Sequence, residues 1–136
     1  MPFRKNSSGE TRKISLMQLP WIFAVTPTYK RTTQKADLVR LTQTLQHVNN
    51  LKWIVVEDSY SRSDRLARFL EKSGLDFVHL FVKSPRKAKH KAVRQRNLAL
   101  SWIRKNLDPH HTPGVVYFMD DDNTYDKTLF EIVSKI

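Results

Sequence analysis

Three consecutive carboxylates, Asp120, Asp121 and Asp122, close an apolar run in residues 115–124, VVYFMDDDNT. Adjacent like charges raise one another's pKa, so three ionised aspartates side by side require a cation nearby. Carboxylates are hard oxygen ligands suited to Mg²⁺ or Mn²⁺, and a divalent ion bridging them to a diphosphate meets that need. The plain alternative is an acidic loop after a strand. A second apolar run, KWIVV at 52–56, also ends in acids, Glu57 and Asp58. Asp58 occupies the place where doubly wound folds hold a base or ribose, with a capping acid as the simpler reading.

Cations stand at matching places. Arg96 lies three residues after Val93 and four before Leu100, which puts it on the apolar face of a helix, where an arginine needs a partner. The Asp triplet or a phosphate beside it suits the guanidinium fork. Lys83, Arg86, Lys87, Lys89 and Lys91 form either a solvated loop or a funnel for anions. Tyr29 follows Thr26-Pro27-Thr28 and is placed to stack on a base or to cover the core. His110 and His111 fall at the amino end of the last strand, away from the triplet, and are not expected to ligate a metal. The three glycines are scattered, so there is no glycine-rich phosphate loop.

The elements that must position these residues follow from apolar periodicity. WIFAV at 21–25 is a buried strand, and the polar, Pro-containing Thr26-Pro27-Thr28-Tyr29 reads as the loop after it. Leu38, Leu41, Leu45 and Val48 recur at helical spacing up to Asn49-Asn50. Residues 52–56 form a second strand. Ser63 and Asp64 can cap a helix carrying Leu66, Phe69 and Leu70, stopped by Ser73-Gly74. Residues 77–82 are a third strand, and Val93, Leu100, Ile103 and Leu107 share the next helix face. Residues 115–119 are expected to be a strand buried on both faces, followed by an amphipathic segment from Asp126 through Leu129, Phe130 and Val133. Alternation of strand and helix predicts an α/β layer with a mainly parallel sheet. Its carboxyl edge gathers Pro27, Thr28, Tyr29, Asp58, the basic loop and the Asp triplet, at the crevice where such sheets bind ligands.

Composition sets the bounds. The chain has 136 residues, one domain's worth, with 24 Lys and Arg against 13 Asp and Glu, a net charge of +11. That balance favours a polyanionic partner: nucleic acid, a nucleotide diphosphate, a sulfated glycan or an anionic membrane surface. The absence of acids between Asp76 and Asp108 keeps a basic nucleic-acid-binding domain among the alternatives. Without cysteine, disulfides and thiolate metal sites are excluded. No run approaches the ~20 apolar residues of a membrane span. Residues 1–18 read as a disordered basic leader without the apolar core of a secretory signal.

VTPTYKR at 25–31, QKADLVRLTQTL at 34–45, WIVVED at 53–58, QRNLAL at 95–100 and GVVYFMDDDNTYD at 114–126 resemble, in order and spacing, the amino-terminal half of the β-1,3-glucuronosyltransferases of glycosyltransferase family 43. The resemblance runs from about residue 21 to 136 and implies that residues 19–136 form the UDP-sugar-binding half of a GT-A, Rossmann-like domain, truncated before its acceptor half. In that family this half binds UDP-glucuronic acid with Mn²⁺. The resemblance implies that Pro27, Thr28 and Tyr29 line the uridine pocket and that Asp58 holds the base. Asp122 is the implied metal ligand, with Asp121 near the ribose and Asp120 steadying Arg96.

The implied reaction is an inverting displacement in which the hydroxyl of a terminal galactose, on a protein-borne glycan, attacks the anomeric carbon. A Golgi location and a homodimer are further implications, and no nucleic acid is expected as partner. Lys91 and Ala92 stand where the family reads arginine and glycine, so Lys91 would meet the diphosphate with one charge but no fork. No catalytic residue is expected within the chain, because the family's base lies beyond the position of Ile136. The alternative is a catalytically silent UDP- or partner-binding remnant.

Overall fold

The structure, a computed structural model, describes residues 21–85, 92–106 and 114–122. The expected leader, Lys91, the basic residues from Arg86 to His90, the His110-His111 pair and the segment from Asp126 lie outside the described residues. Four strands and three helices alternate: β1 (Trp21–Thr28), α1 (Gln34–Leu45), β2 (Leu51–Asp58), α2 (Asp64–Lys72), β3 (Phe77–Val82), α3 (Val93–Asn106) and β4 (Gly114–Phe118). The sheet has the order β3-β2-β1-β4, and every pairing is parallel.

This order explains the layers. Crossovers between parallel strands are right-handed, so the steps β1 to β2 and β2 to β3, running one way, place α1 and α2 on one face. The step from β3 to β4 reverses direction past β2 and β1, and sends α3 to the other. Alternate strand residues follow suit. Ile22, Ala24, Leu51, Trp53 and Val55 pack with Leu38, Leu41 and Leu45 of α1 and Leu66 and Leu70 of α2. Phe23, Val25, Ile54 and Val56 face Leu98, Ala99, Trp102 and Ile103 of α3. Each fully buried leucine contributes about 1.5–3 kcal/mol. Trp53 is wholly buried, and its indole N–H donates to Thr26 Oγ1 at 2.9 Å, so its one polar atom is satisfied.

Three expectations need correction. Thr26, Pro27 and Thr28 do not form a loop; they extend β1, in register with Val55, Val56 and Glu57, and all three are buried. Proline is tolerated there because successive residues point their N–H groups alternately to the two neighbours. Ile22 bonds toward β2, while Val25 accepts from Met119 on the β4 side. Pro27 thus turns its missing donor toward β4, which has already ended at Phe118.

Second, β4 is not buried on both faces. Its residues are half-buried, with Gly114 and Phe118 exposed, since it lies at the sheet margin among the described residues. Gly114 is required at its start, because a Cβ there would run into the Phe23 ring. Third, the packed face of α3 is set by Gln95, Leu98, Ala99, Trp102 and Ile103. Val93 is exposed, and Arg96 stands at the side of the helix.

Candidate functional site

The strand order reverses between β1 and β4, and the carboxyl ends of these two strands carry the densest polar cluster. Thr28 ends β1 with its hydroxyl donating to Asp121 Oδ2 at 2.7 Å, while Gln34 Nε2 donates to the same hydroxyl at 2.9 Å. All three side chains are buried. Arg31 Nη2 lies 2.9 Å from Asp121 Oδ2 and 2.9 Å from Asp37 Oδ2. Arg65, from α2, donates to Gln34 Oε1 at 3.0 Å. Burial works to lower the Arg31 pKa, but its hydrogen bonds to Asp121 and Asp37 outweigh that and raise it, so the guanidinium stays charged.

The three aspartates of the turn after β4 have different surroundings. Asp121 is buried in the cluster just described. Asp120 is half-exposed and meets Arg96 Nη2 at 3.3 Å, with that guanidinium 5.9 Å from the centroid of the Phe118 ring. Asp122 is exposed. The cation that the triplet required is therefore supplied twice, by Arg96 and by Arg31. Tyr29 is half exposed at the rim, with the Arg31 guanidinium 4.5 Å from its ring centroid and Arg31 Nη1 donating to its carbonyl at 3.0 Å. Pro27, two residues earlier, is buried in β1.

Asp58, at the end of β2, is tied down locally. Its Oδ1 accepts from the Ser84 backbone N–H at 2.8 Å, with Lys83 Nζ 3.9 Å away. One residue earlier, Glu57 Oε1 accepts from the Ser63 N–H at the start of α2, and His79 Nε2 stands 3.0 Å from it. A carboxylate only accepts, so His79 carries its proton on Nε2, and its buried Nδ1 has no hydrogen-bond partner among the described residues. Burial pushes the His79 pKa down, outweighing Glu57. Burial would raise Glu57, but the bonds from Ser63 and His79 leave it lowered.

Residues 41–136 match a family model described as glycosyltransferase family 43. The chain belongs to glycosyltransferase family 43. Over 124 residues it is 49% identical to galactosylgalactosylxylosylprotein 3-beta-glucuronosyltransferase 1 of Rattus norvegicus, covering 83% of this chain and 37% of that protein. Over 133 residues it is 47% identical to the Homo sapiens protein named as number 2 of the same series, covering 94% and 41%. The chain thus spans less than half the length of these family 43 relatives. By fold it is similar to S. aureus TarS 1-349, solved in complex with UDP-GlcNAc, with a TM-score of 0.56 at 20% identity, covering 85% of this chain and 30% of that one. The parallel α/β layer is that of a GT-A-like glycosyltransferase.

Among the described residues of this family 43 chain, Arg31, Gln34, Asp37, Arg65 and Gln95 of the β1–β4 cluster and His79 beside Glu57 escaped the sequence reading. Gln34 and Asp37 prolong the buried stripe of α1 formed by Leu38, Leu41, Thr42 and Leu45. Gln95 does the same on α3, and its Nε2 donates to the carbonyls of Thr28 (3.1 Å) and Val56 (2.6 Å), clamping the ends of β1 and β2. A polar residue in phase with an apolar stripe is the signal that marks such groups. Arg31 has no such phase to betray it.

Proposed function

We propose that this chain forms the donor-binding part of a β-1,3-glucuronosyltransferase, holding UDP-glucuronic acid at the carboxyl ends of β1 and β4. The observation that carries this reading is the placement, at the point of strand reversal, of a buried and ion-paired Asp121 beside an exposed Asp122. Family membership supports it, as do the names of the relatives, which specify glucuronosyl transfer to a galactosylgalactosylxylosyl protein. TarS supports it at the level of fold alone.

The donor set fits a divalent ion held jointly with substrate. Among the described residues no three His, Cys, Asp or Glu groups converge as a complete metal cage. Asp121 is committed to Thr28 and Arg31, so Asp122 offers the available carboxylate. One carboxylate plus diphosphate oxygens and waters is the usual arrangement for small hard cations bound with nucleotides. Asp122 would hold the Mn²⁺, whose charge would offset that of the UDP diphosphate.

The chain's own groups do the rest of the holding. Tyr29 offers its half-exposed ring to the uracil, next to Pro27 and Thr28 at the end of β1. Arg96 brings positive charge to this edge, and the resemblance assigns Lys91 to the diphosphate. Asp58 stands at the base end of the edge, its carboxylate oriented by Ser84. Attack by a galactose hydroxyl with inversion, a Golgi location and a homodimer belong to the same reading. Among the described residues no helix is long and apolar enough to cross a membrane.

The test is calorimetric titration of UDP into the purified chain with Mn²⁺ and with chelator. Tight binding is expected only with the metal, and Asp122→Ala should weaken it about 100-fold or more, the scale of losing a charged ligand contact. A folded chain that ignores UDP under both conditions overturns the reading.

A further inference from the structure

Arg31 stands three residues beyond β1 and touches three parts of the edge at once. Its Nη2 reaches Asp37 in the first turn of α1 and Asp121 in the turn after β4, each at 2.9 Å. Its Nη1 donates to the Tyr29 carbonyl at 3.0 Å, and its Cζ lies over the Tyr29 ring, 4.5 Å from the centroid. Only a planar fork with several donors can make these contacts together; a lysine ammonium cannot bond in three directions and also stack. The side chain is largely buried, so the charge has been taken out of water. A buried ion pair rarely returns its desolvation cost as stability, and an apolar contact would close the same gap as well. What the pair does supply is orientation. Thr28 donates to the same Asp121 oxygen, which leaves that carboxylate little rotational freedom.

We propose that Arg31 is a positioning residue of the donor site, holding Asp121 and Tyr29 in place before the nucleotide arrives and thereby setting its affinity. It does so by joining the start of α1 to the turn that carries Asp122. The inference rests on the UDP-sugar reading of this edge.

The experiment is calorimetric titration of UDP, with Mn²⁺, into the wild-type chain and into Arg31→Met, Arg31→Lys, Asp121→Asn and the double variant Arg31→Met/Asp121→Asn, with thermal melts of each. Arg31→Met and Asp121→Asn are each expected to weaken UDP roughly tenfold or more, the scale of a charged hydrogen bond. Arg31→Lys should fall between Arg31→Met and wild type. The double variant should lose less than the two single losses combined, because part of the effect of Arg31 passes through Asp121.

Wild-type affinity in Arg31→Met, whatever its melting temperature, overturns the inference while leaving the UDP reading intact. Strictly additive losses in the double variant overturn it too. If Arg31→Met does not fold, Arg31→Lys decides: weaker binding sustains the inference and unchanged binding ends it. Absence of UDP binding by the wild-type chain removes both readings together.

Discussion

Two strands of this sheet end in carboxylates, and their fates differ. At the end of β2, Glu57 and Asp58 each accept a backbone N–H: Glu57 from Ser63, with the His79 side chain beside it, and Asp58 from Ser84, with Lys83 Nζ 3.9 Å away. At the end of β4, Asp120 and Asp121 meet arginine side chains, and Asp122 faces solvent. The difference teaches that an apolar strand followed by acids specifies a position, the carboxyl edge, and not a role. The role depends on what the chain folds back against each acid. Beside β2 it is the loops flanking α2 and β3, whose backbone donors absorb the charge. Beside β4 it is the strand-reversal edge, where Arg31 and Arg96 pair with two of the aspartates and the third stays exposed.

The comparison breaks most visibly if the two ends exchange phenotypes. Asp122→Ala should abolish Mn²⁺-dependent UDP binding with little change in melting temperature, being an exposed surface substitution. Glu57→Ala should do the reverse. It leaves the Ser63 N–H and the His79 Nε2–H unpaired in the interior and should cost about 2 kcal/mol, read as a lower melting temperature, with UDP affinity of the folded chain unchanged.

Acid should act through the β2 end. His79 has a folded pKa below its ordinary 6.5, so the unfolded chain takes up this proton first. Its contribution to stability is complete above 6.5 and is lost as pH falls toward the folded value. Glu57 is likewise depressed, from 4.5, and adds a second loss only at lower pH. Melting temperatures measured from pH 8 to about 2 should therefore decline below about 6.5, and His79→Leu should remove that upper step while keeping the lower one.

Two smaller effects concern the β4 end. Ala92 opens α3, its carbonyl accepting from the N–H of Arg96, in the left-handed region at φ 72°. Ala92→Gly should stabilise the chain by about 1 kcal/mol by relieving the Cβ clash. Asp120→Ala removes a half-exposed pair with Arg96 and should change stability by under ~1 kcal/mol; a larger loss in a thermal melt would show that the triplet is structural at this position also.

Much of this was written in the order of residues. Apolar runs and helical spacing specify the alternation of strands and helices, because burial of one face is a local property of sequence, and the carboxyl edge follows from the parallel sense of the alternation. VVYFMDDDNT, QRN and VTPTY carry the resemblance to the family, because distinctive residue types stand there in a particular order and spacing. What local pattern could not supply was long-range geometry. Pro27 sits inside a strand because a neighbouring strand happens to end beside it. Asp121 and Arg31 stand 90 positions apart and meet only because β1 and β4 are adjacent. Glu57 and Asp58 resemble the triplet in sequence, and only the loops around α2 and β3 supply the backbone N–H groups that hold them. Periodicity reports which face of an element is buried; which charges then share that edge depends on strand order, and strand order is a property of the folded chain.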